Sequence, residues 1–79
     1  MKISDVKYIR DEKALKLLGK KVRELRKKQN LSQEQLGYEA GVPNKQISRI
    51  ERGEVNTGIS TILAIARVLD IPVKELFNF

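Results

Sequence analysis

The sequence predicts one all-α domain, and three observations lead to this prediction. Apolar residues recur at three- and four-residue spacing along most of residues 11–77, as on the inward face of amphipathic helices. Serine, glycine and proline stand where these stretches begin or end, as expected for helix caps. A length of 79 residues with 41% hydrophobic content suits a single folded domain rather than a disordered chain. We therefore expect a compact fold of five helices around one core.

The first helix is predicted from about Asp11 to Lys28. Its inward positions would be Leu15, Leu18, Val22 and Leu25. Residues 1–10 form an ambiguous leader, in which Ile3, Val6 and Ile9 recur every three residues. The leader could pack on the domain, bind a partner chain or fray, so the domain itself is predicted to span residues 11–79.

A capping box and a glycine predict the second helix. Ser32 followed by Gln35 three residues later marks a helix start. Leu36 and Ala40 then fall on one face, four residues apart. Gly41 can adopt the positive φ that ends a helix and turns the chain sharply.

A third helix follows directly, at about residues 43–52. Val42 is apolar and can fill the corner, and Pro43 suits the first turn of a helix. Ile47 and Ile50 share the inward face, and Gly53 ends the helix. Two short helices joined by about three turn residues form a helix-turn-helix, the unit that lays its second helix in the DNA major groove.

Two more helices are predicted in the remaining chain. After a loop over residues 53–58, the fourth helix offers the core five apolar residues, Ile59, Ile62, Leu63, Ala66 and Leu69. A short fifth helix would begin at Ile71-Pro72 and end near Phe77.

Composition excludes several classes of function. The chain has no cysteine and no histidine, which removes disulfides, thiolate metal sites and the commonest general base. The acidic residues form no recognisable catalytic or metal site, so neither an enzyme nor a metal or cofactor is expected. The longest apolar run, residues 62–66, is far shorter than the roughly 20 residues of a membrane span. Residues 1–15 lack the apolar stretch of a signal peptide, so a cytoplasmic location is expected.

Positive charge is concentrated in the first part of the chain. Residues 1–30 carry eleven Lys or Arg against four Asp or Glu, a net charge of +7. Residues 31–79 carry five against six, a net charge of −1. Such a basic stretch can be an ordinary solvated helix face, or it can attract DNA phosphates.

These residues resemble the DNA-binding domain of Cro/C1-type phage repressors, the XRE family. The resemblance runs from about Leu18 to Phe77 and rests on the order and spacing of several short motifs. These motifs are Gln33 at the start of the second helix, Ala40-Gly41-Val42, Ile47 and Ile50, residues 50–53, residues 60–66 and residues 69–77. The resemblance implies a five-helix, lambda-repressor-like fold. Family members often begin their first helix near Gly19, which weakens the prediction of an earlier start here.

The resemblance also implies which residues contact DNA. The outer face of the third helix would read bases through Asn44, Lys45, Ser48 and Arg49. Phosphates would be bound by Gln33, Arg52, Asn56 and Thr57. The chain departs from the family at Thr57-Gly58, where Pro-Ser is commoner, and this leaves the cap of the fourth helix open.

Two further positions are implied to be structural. Arg26 and Glu51 match an arginine and a glutamate that pair in these repressors, and the pair would hold the third helix against the first. Gly37 stands where the family usually has alanine, and it would permit a close crossing of the two helices.

The resemblance therefore implies a DNA-binding transcriptional regulator, a dimeric repressor that reads a palindromic operator. The dimer would form through the fifth helix and tail, with Leu76, Phe77 and Phe79 as apolar contacts, although Leu76 and Phe77 could instead close the core. One alternative is an antitoxin that binds a toxin protein through residues 1–10 and represses its own operon. Another is a controller protein of a restriction–modification system.

Overall fold

The computed structural model describes residues 9–79, which form four α-helices and one 3₁₀ helix. The α-helices are α1 (Glu12–Lys28), α2 (Gln33–Ala40), α3 (Asn44–Glu51) and α4 (Ile59–Val68). The 3₁₀ helix spans Val73–Phe77. None of the helices in this part of the chain is both long and apolar enough to cross a membrane.

The helix starts follow from local side-chain chemistry. The Asp11 carboxylate accepts a hydrogen bond from the Ala14 backbone N–H at 2.9 Å and so caps α1. In α2 the predicted capping box is confirmed: Ser32 Oγ accepts from the Gln35 N–H at 2.9 Å. The Gln35 side chain in turn accepts from the Ser32 N–H at 2.8 Å. Each bond satisfies a backbone donor that a helix end would otherwise leave unpaired.

Gly41 and Gly53 end α2 and α3 with a left-handed backbone, each with φ near +72°. Pro43 was predicted to lie in the first turn of α3, but it precedes the helix. Its ψ of 141° is extended, so α3 starts one residue later, at Asn44.

The core lies between the helices and is closed by the C-terminal 3₁₀ helix. Helix α3 packs against α1 and α2, while α4 packs against α2 and the 3₁₀ helix. The buried apolar residues come from every one of these elements. They are Leu18, Val22, Leu36, Val42, Ile47, Ile50, Ile62, Ile65, Ala66, Leu69 and Leu76.

The predicted inward face of α4 was wrong at two positions. Ile59 and Leu63 are exposed, at 63% and 42%, and Ile65 is buried in their place. Ile59 is the first residue of the helix. Leu63 directly follows the buried Ile62 and therefore points to a different side of the helix. Both side chains lie outside the buried face. In α1, Leu15 and Leu25 are only half-buried.

The fifth helix is a five-residue 3₁₀ turn rather than an α-helix, so the predicted count of five helices is one α-helix too many. Pro72 precedes it in an extended conformation, and the five residues that follow form the short, tight kind of turn for which 3₁₀ geometry is common. Leu76 is fully buried in the core, so its predicted role as a surface contact of the dimer was wrong. Phe77 and Phe79 are exposed, at 45% and 55%.

Two glycines allow α3 to approach its neighbours closely. Helix α1 continues through Gly19, and a Cβ at this position would lie 2.2 Å from the backbone oxygen of Ile50. A Cβ at Gly37 would lie 2.5 Å from the backbone oxygen of Val42. Neither site has room for a side chain, so both glycines are required by packing.

The leader prediction falls almost entirely outside the described residues. Ile9 is 91% exposed. Arg10 pairs with Glu12 and donates a hydrogen bond from Nη2 to the backbone oxygen of Glu54 at 2.7 Å. The start of the described chain therefore contacts the loop that follows α3.

Candidate nucleic-acid interface

Helix α3 has one buried face and one polar face. Ile47 and Ile50 are buried against the core, as their spacing predicted. The residues predicted to read bases lie on the other side. Asn44, Lys45 and Arg49 are exposed and Ser48 is half-buried. Asn44 and Ser48 are four residues apart, as are Lys45 and Arg49, so the side chains form two neighbouring rows on one surface.

A buried ion pair fixes the C-terminal end of α3 to α1. Arg26 donates from Nε to Glu51 Oε2 at 2.7 Å and from Nη2 to Glu51 Oε1 at 3.0 Å. The two side chains are only 9% and 1% exposed. Arg26 Nη1 also donates to the backbone oxygen of Leu31 at 2.7 Å. The guanidinium of Arg26 therefore links α1 to α3 and to the loop that precedes α2.

Gln33 belongs to the same network. Its side-chain Nε2 donates to Glu51 Oε1 at 3.1 Å, and the residue is half-buried at the start of α2. One amide hydrogen is thus used within the protein, while the amide group retains a second hydrogen and its oxygen. A phosphate contact through that second hydrogen is compatible with this position and remains a prediction.

Arg52 directly follows α3 and forms hydrogen bonds with two neighbouring side chains at the surface. Its Nη1 donates to Ser48 Oγ, and its Nε and Nη2 donate to the two carboxylate oxygens of Glu54 at 2.6 and 3.3 Å. The hydrogen bond from Arg52, with weaker charge effects from Arg49 and Lys16, holds the pKa of Glu54 below its usual value. The same hydrogen bond raises the pKa of Arg52. Both groups are therefore charged at neutral pH.

The loop after α3 holds the other two residues predicted to bind phosphate. Asn56 is exposed, and Thr57 is half-buried with its hydroxyl donating to the backbone oxygen of Val55 at 3.2 Å. Gly58 precedes α4 and supplies no side-chain cap. The loss of the family's usual Pro-Ser is thus not compensated by another capping side chain at that position.

Glu54 was missed in the sequence analysis. An acidic residue two positions after Arg52 could have suggested the pair, but such charges on a surface loop usually have no partner that sequence alone can identify. Within residues 9–79, no cluster of three Asp or Glu residues could hold a metal ion.

The chain matches a family model described as helix-turn-helix over residues 22–76. It belongs to this helix-turn-helix family. The XRE-type resemblance is thereby confirmed, and the family consists of DNA-binding transcriptional regulators rather than enzymes.

Two relatives of this helix-turn-helix protein are control proteins of similar length. Control protein C.BamHI of Bacillus amyloliquefaciens is 41% identical over 64 residues, which cover 80% of this chain and 79% of the relative. Control protein C.SmaI of Serratia marcescens is 38% identical over 62 residues, which cover 78% and 74%.

Solved structures show the same fold. The restriction-modification controller protein C.AhdI from Aeromonas hydrophila is 40% identical with a TM-score of 0.79, over 80% of this chain and 96% of that one. The biofilm regulator SinR, solved in complex with DNA, is 31% identical with a TM-score of 0.73, over 77% and 98%.

Proposed function

We propose that this helix-turn-helix protein regulates transcription as a homodimer that binds a palindromic double-stranded DNA site through α3. The observation that carries the proposal is the polar outer face of α3, which is held rigidly from behind by the Arg26–Glu51 pair. A helix docked in the major groove needs both a set of base-reading side chains and a fixed orientation. This function would place the protein in the cytoplasm, with the DNA.

Base reading follows from the chemistry of the exposed side chains. Asn44 suits adenine, because its amide can both accept from N6 and donate to N7. Lys45 and Arg49 suit the O6 and N7 acceptors of guanine. All three are exposed, so they can reach base edges without any rearrangement of the core.

Phosphate binding would surround this face. The N-terminal backbone amides of α2 and the free amide hydrogen of Gln33 lie at one end of the helix pair, where an anion is favoured. Asn56 is exposed in the loop beyond α3 and would contact the backbone of the same half-site. These contacts would fix the register of the protein while the α3 side chains supply specificity.

The homodimer would form through the C-terminal tail. Phe77 and Phe79 are exposed with ring centroids 6.4 Å apart, and the 3₁₀ helix that contains Phe77 packs against α1. Two-fold symmetry would place two copies of α3 about 34 Å apart, one turn of the DNA helix.

Among regulators, we favour a controller of a restriction–modification system. This choice rests on the restriction-modification controller protein C.AhdI and on the control proteins C.BamHI and C.SmaI, to which this chain is similar over most of its length. An antitoxin role would depend on residues 1–10, most of which lie outside the described part of the chain. No contact in residues 9–79 favours it.

Hydroxyl-radical footprinting on the DNA upstream of the protein's own gene tests this function. We expect two protected patches one helical turn apart, related by a palindrome, and none on a scrambled duplex. Protection spread evenly over both duplexes would refute sequence-specific reading. A single protected patch would refute the dimer while leaving specific binding in place.

A further inference from the structure

We propose that Ser48 reads DNA solely as a hydrogen-bond donor, because Arg52, held by Glu54, occupies its oxygen. This inference rests on the proposed function and adds to it a role for two residues next to the reading face, the outer face of α3 that carries the proposed base-reading residues. Arg52 and Glu54 would be positioning residues that act through Ser48 rather than contacts to DNA.

The first step is the fixed orientation of Arg52. Both carboxylate oxygens of Glu54 accept hydrogen bonds from Arg52, at 2.6 and 3.3 Å, so one edge of the planar guanidinium is held in place. In this orientation Nη1 donates to the Ser48 hydroxyl, which lies four residues earlier on α3. A lysine could not do the same, since an ammonium lacks the fork geometry.

The second step is the state of the Ser48 hydroxyl. A serine hydroxyl has one donor hydrogen and two acceptor lone pairs. Arg52 fills one lone pair, and its positive charge beside the oxygen repels any further donor. The hydroxyl hydrogen itself donates to no atom of residues 9–79. What Ser48 offers to a ligand is therefore its donor hydrogen.

The third step is the consequence for base recognition. In the major groove, a donor pairs with purine N7, guanine O6 or thymine O4, whereas the amino groups of cytosine and adenine need an acceptor. Ser48 would then favour an acceptor edge at one base position. A serine with a free oxygen would accept both kinds of edge.

A base-substitution series on the upstream DNA tests the proposal. Wild type, Ser48→Ala, Arg52→Lys and Glu54→Gln are titrated against duplexes that vary one base pair at a time. Asp70→Asn is the matched control, since it removes one exposed negative charge from the turn after α4, where asparagine tolerates the left-handed φ of 55°. We expect Ser48→Ala to lose about three- to tenfold in preference at one position. Arg52→Lys and Glu54→Gln should lose preference at that same position, and Asp70→Asn should not.

The double variant Ser48→Ala/Arg52→Lys should lose no more than either single variant, because both changes remove one contact. Additive losses would overturn the proposal. The variant Arg52→Gln tests whether Arg52 is instead a phosphate ligand. If this variant binds all DNA more weakly by the same factor, and its salt dependence is smaller by about one charge, the proposal is overturned. If wild type itself shows no base preference, the proposed function fails and this inference fails with it.

A measurement on the free protein separates the two failures. The Nε–H signal of Arg52 in a ¹H–¹⁵N spectrum should shift with Glu54→Gln and stay in place with Asp70→Asn. An unchanged signal in Glu54→Gln would show that Glu54 does not hold Arg52 through hydrogen bonds, and this result would not depend on how the protein binds DNA.

Discussion

At the residue scale, Arg26 and Glu51 determine how the outer face of α3 is held. Each charge is nearly excluded from water, and each is compensated by the other and by neighbouring polar groups. A buried charge without its partner is far more unfavourable than an exposed one. The pair thus stabilises the fold and at the same time fixes the orientation of α3.

Replacing Arg26 with alanine should lower the free energy of unfolding by about 3–5 kcal/mol, because Glu51 is left buried and unpaired. Urea denaturation followed by circular dichroism measures this change. Arg52→Ala is the control, since it breaks an ion pair that is half-exposed on both sides and should leave the midpoint nearly unchanged. Equal shifts for the two variants would contradict the structural role of Arg26.

Arg49 tests base reading by a single side chain. Arg49→Ala should weaken binding to the specific site by about 1–3 kcal/mol and relax the preference at one base position. Fluorescence anisotropy with base-substituted duplexes measures both effects, and Arg67→Ala on the exposed side of α4 serves as the charge-matched control. An equal loss on random DNA would remove Arg49 from the reading face.

Gln33 should behave differently, because a phosphate carries no sequence information. Gln33→Ala should weaken binding to all duplexes by a similar factor and leave the base preference unchanged. The salt dependence should stay as in wild type, since the amide is uncharged. A changed preference in the same titrations would place Gln33 among the base-reading residues.

At the scale of helices, close packing at Gly19 sets the crossing of α1 and α3. Gly19→Ala would add about 1 kcal/mol of helix propensity. The added Cβ would nevertheless meet the backbone oxygen of Ile50 at 2.2 Å, where no flexible side chain can yield. We expect a net destabilisation of about 1–3 kcal/mol, as for other overpacked sites.

Thermal unfolding measures this effect, with Gly58→Ser as the control. Gly58 has open space around its Cβ position and caps α4 without a side chain, so serine there should be neutral or slightly stabilising. A stabilised Gly19→Ala variant would mean that the two helices do not cross so closely.

Helix starts were predictable where one side chain decides them, and tertiary packing decided the rest. The Ser32–Gln35 box and the left-handed Gly41 follow from local chemistry alone. The burial of Ile65 instead of Leu63 does not, because residues 62–66 are all apolar and their spacing does not decide which side of α4 turns inward. Likewise Gly19 looks unfavourable in a helix until its neighbour across the crossing is known.

The polar outer face of α3 was predictable as a set of positions, but the hydrogen bonds around it were not. The helical spacing of Asn44, Lys45, Ser48 and Arg49 on a shared outer face required only the turn at Gly41. The contacts of Gln33 with Glu51, and of Arg52 with Glu54, depend on side-chain orientations that no spacing specifies.

At the scale of the whole molecule, the exposed tail tests the proposed dimer. Phe77→Ser/Phe79→Ser should weaken self-association at least tenfold, because two exposed aromatic side chains would be lost from the interface. Sedimentation equilibrium measures the dissociation constant. Tyr38→Ser removes an aromatic side chain that is 89% exposed on α2, and it should have no effect. An unchanged dimer in the tail variant would place the interface elsewhere.

The central claim is that α3 reads sequence and that the basic charge alone does not account for binding. Fluorescence anisotropy at two salt concentrations tests it most directly, with the DNA upstream of the protein's own gene and a scrambled duplex. We expect tighter binding to the upstream fragment and a preference that persists at the higher salt, since base contacts release no counterions. Equal affinity for both duplexes, lost together as salt rises, would contradict it.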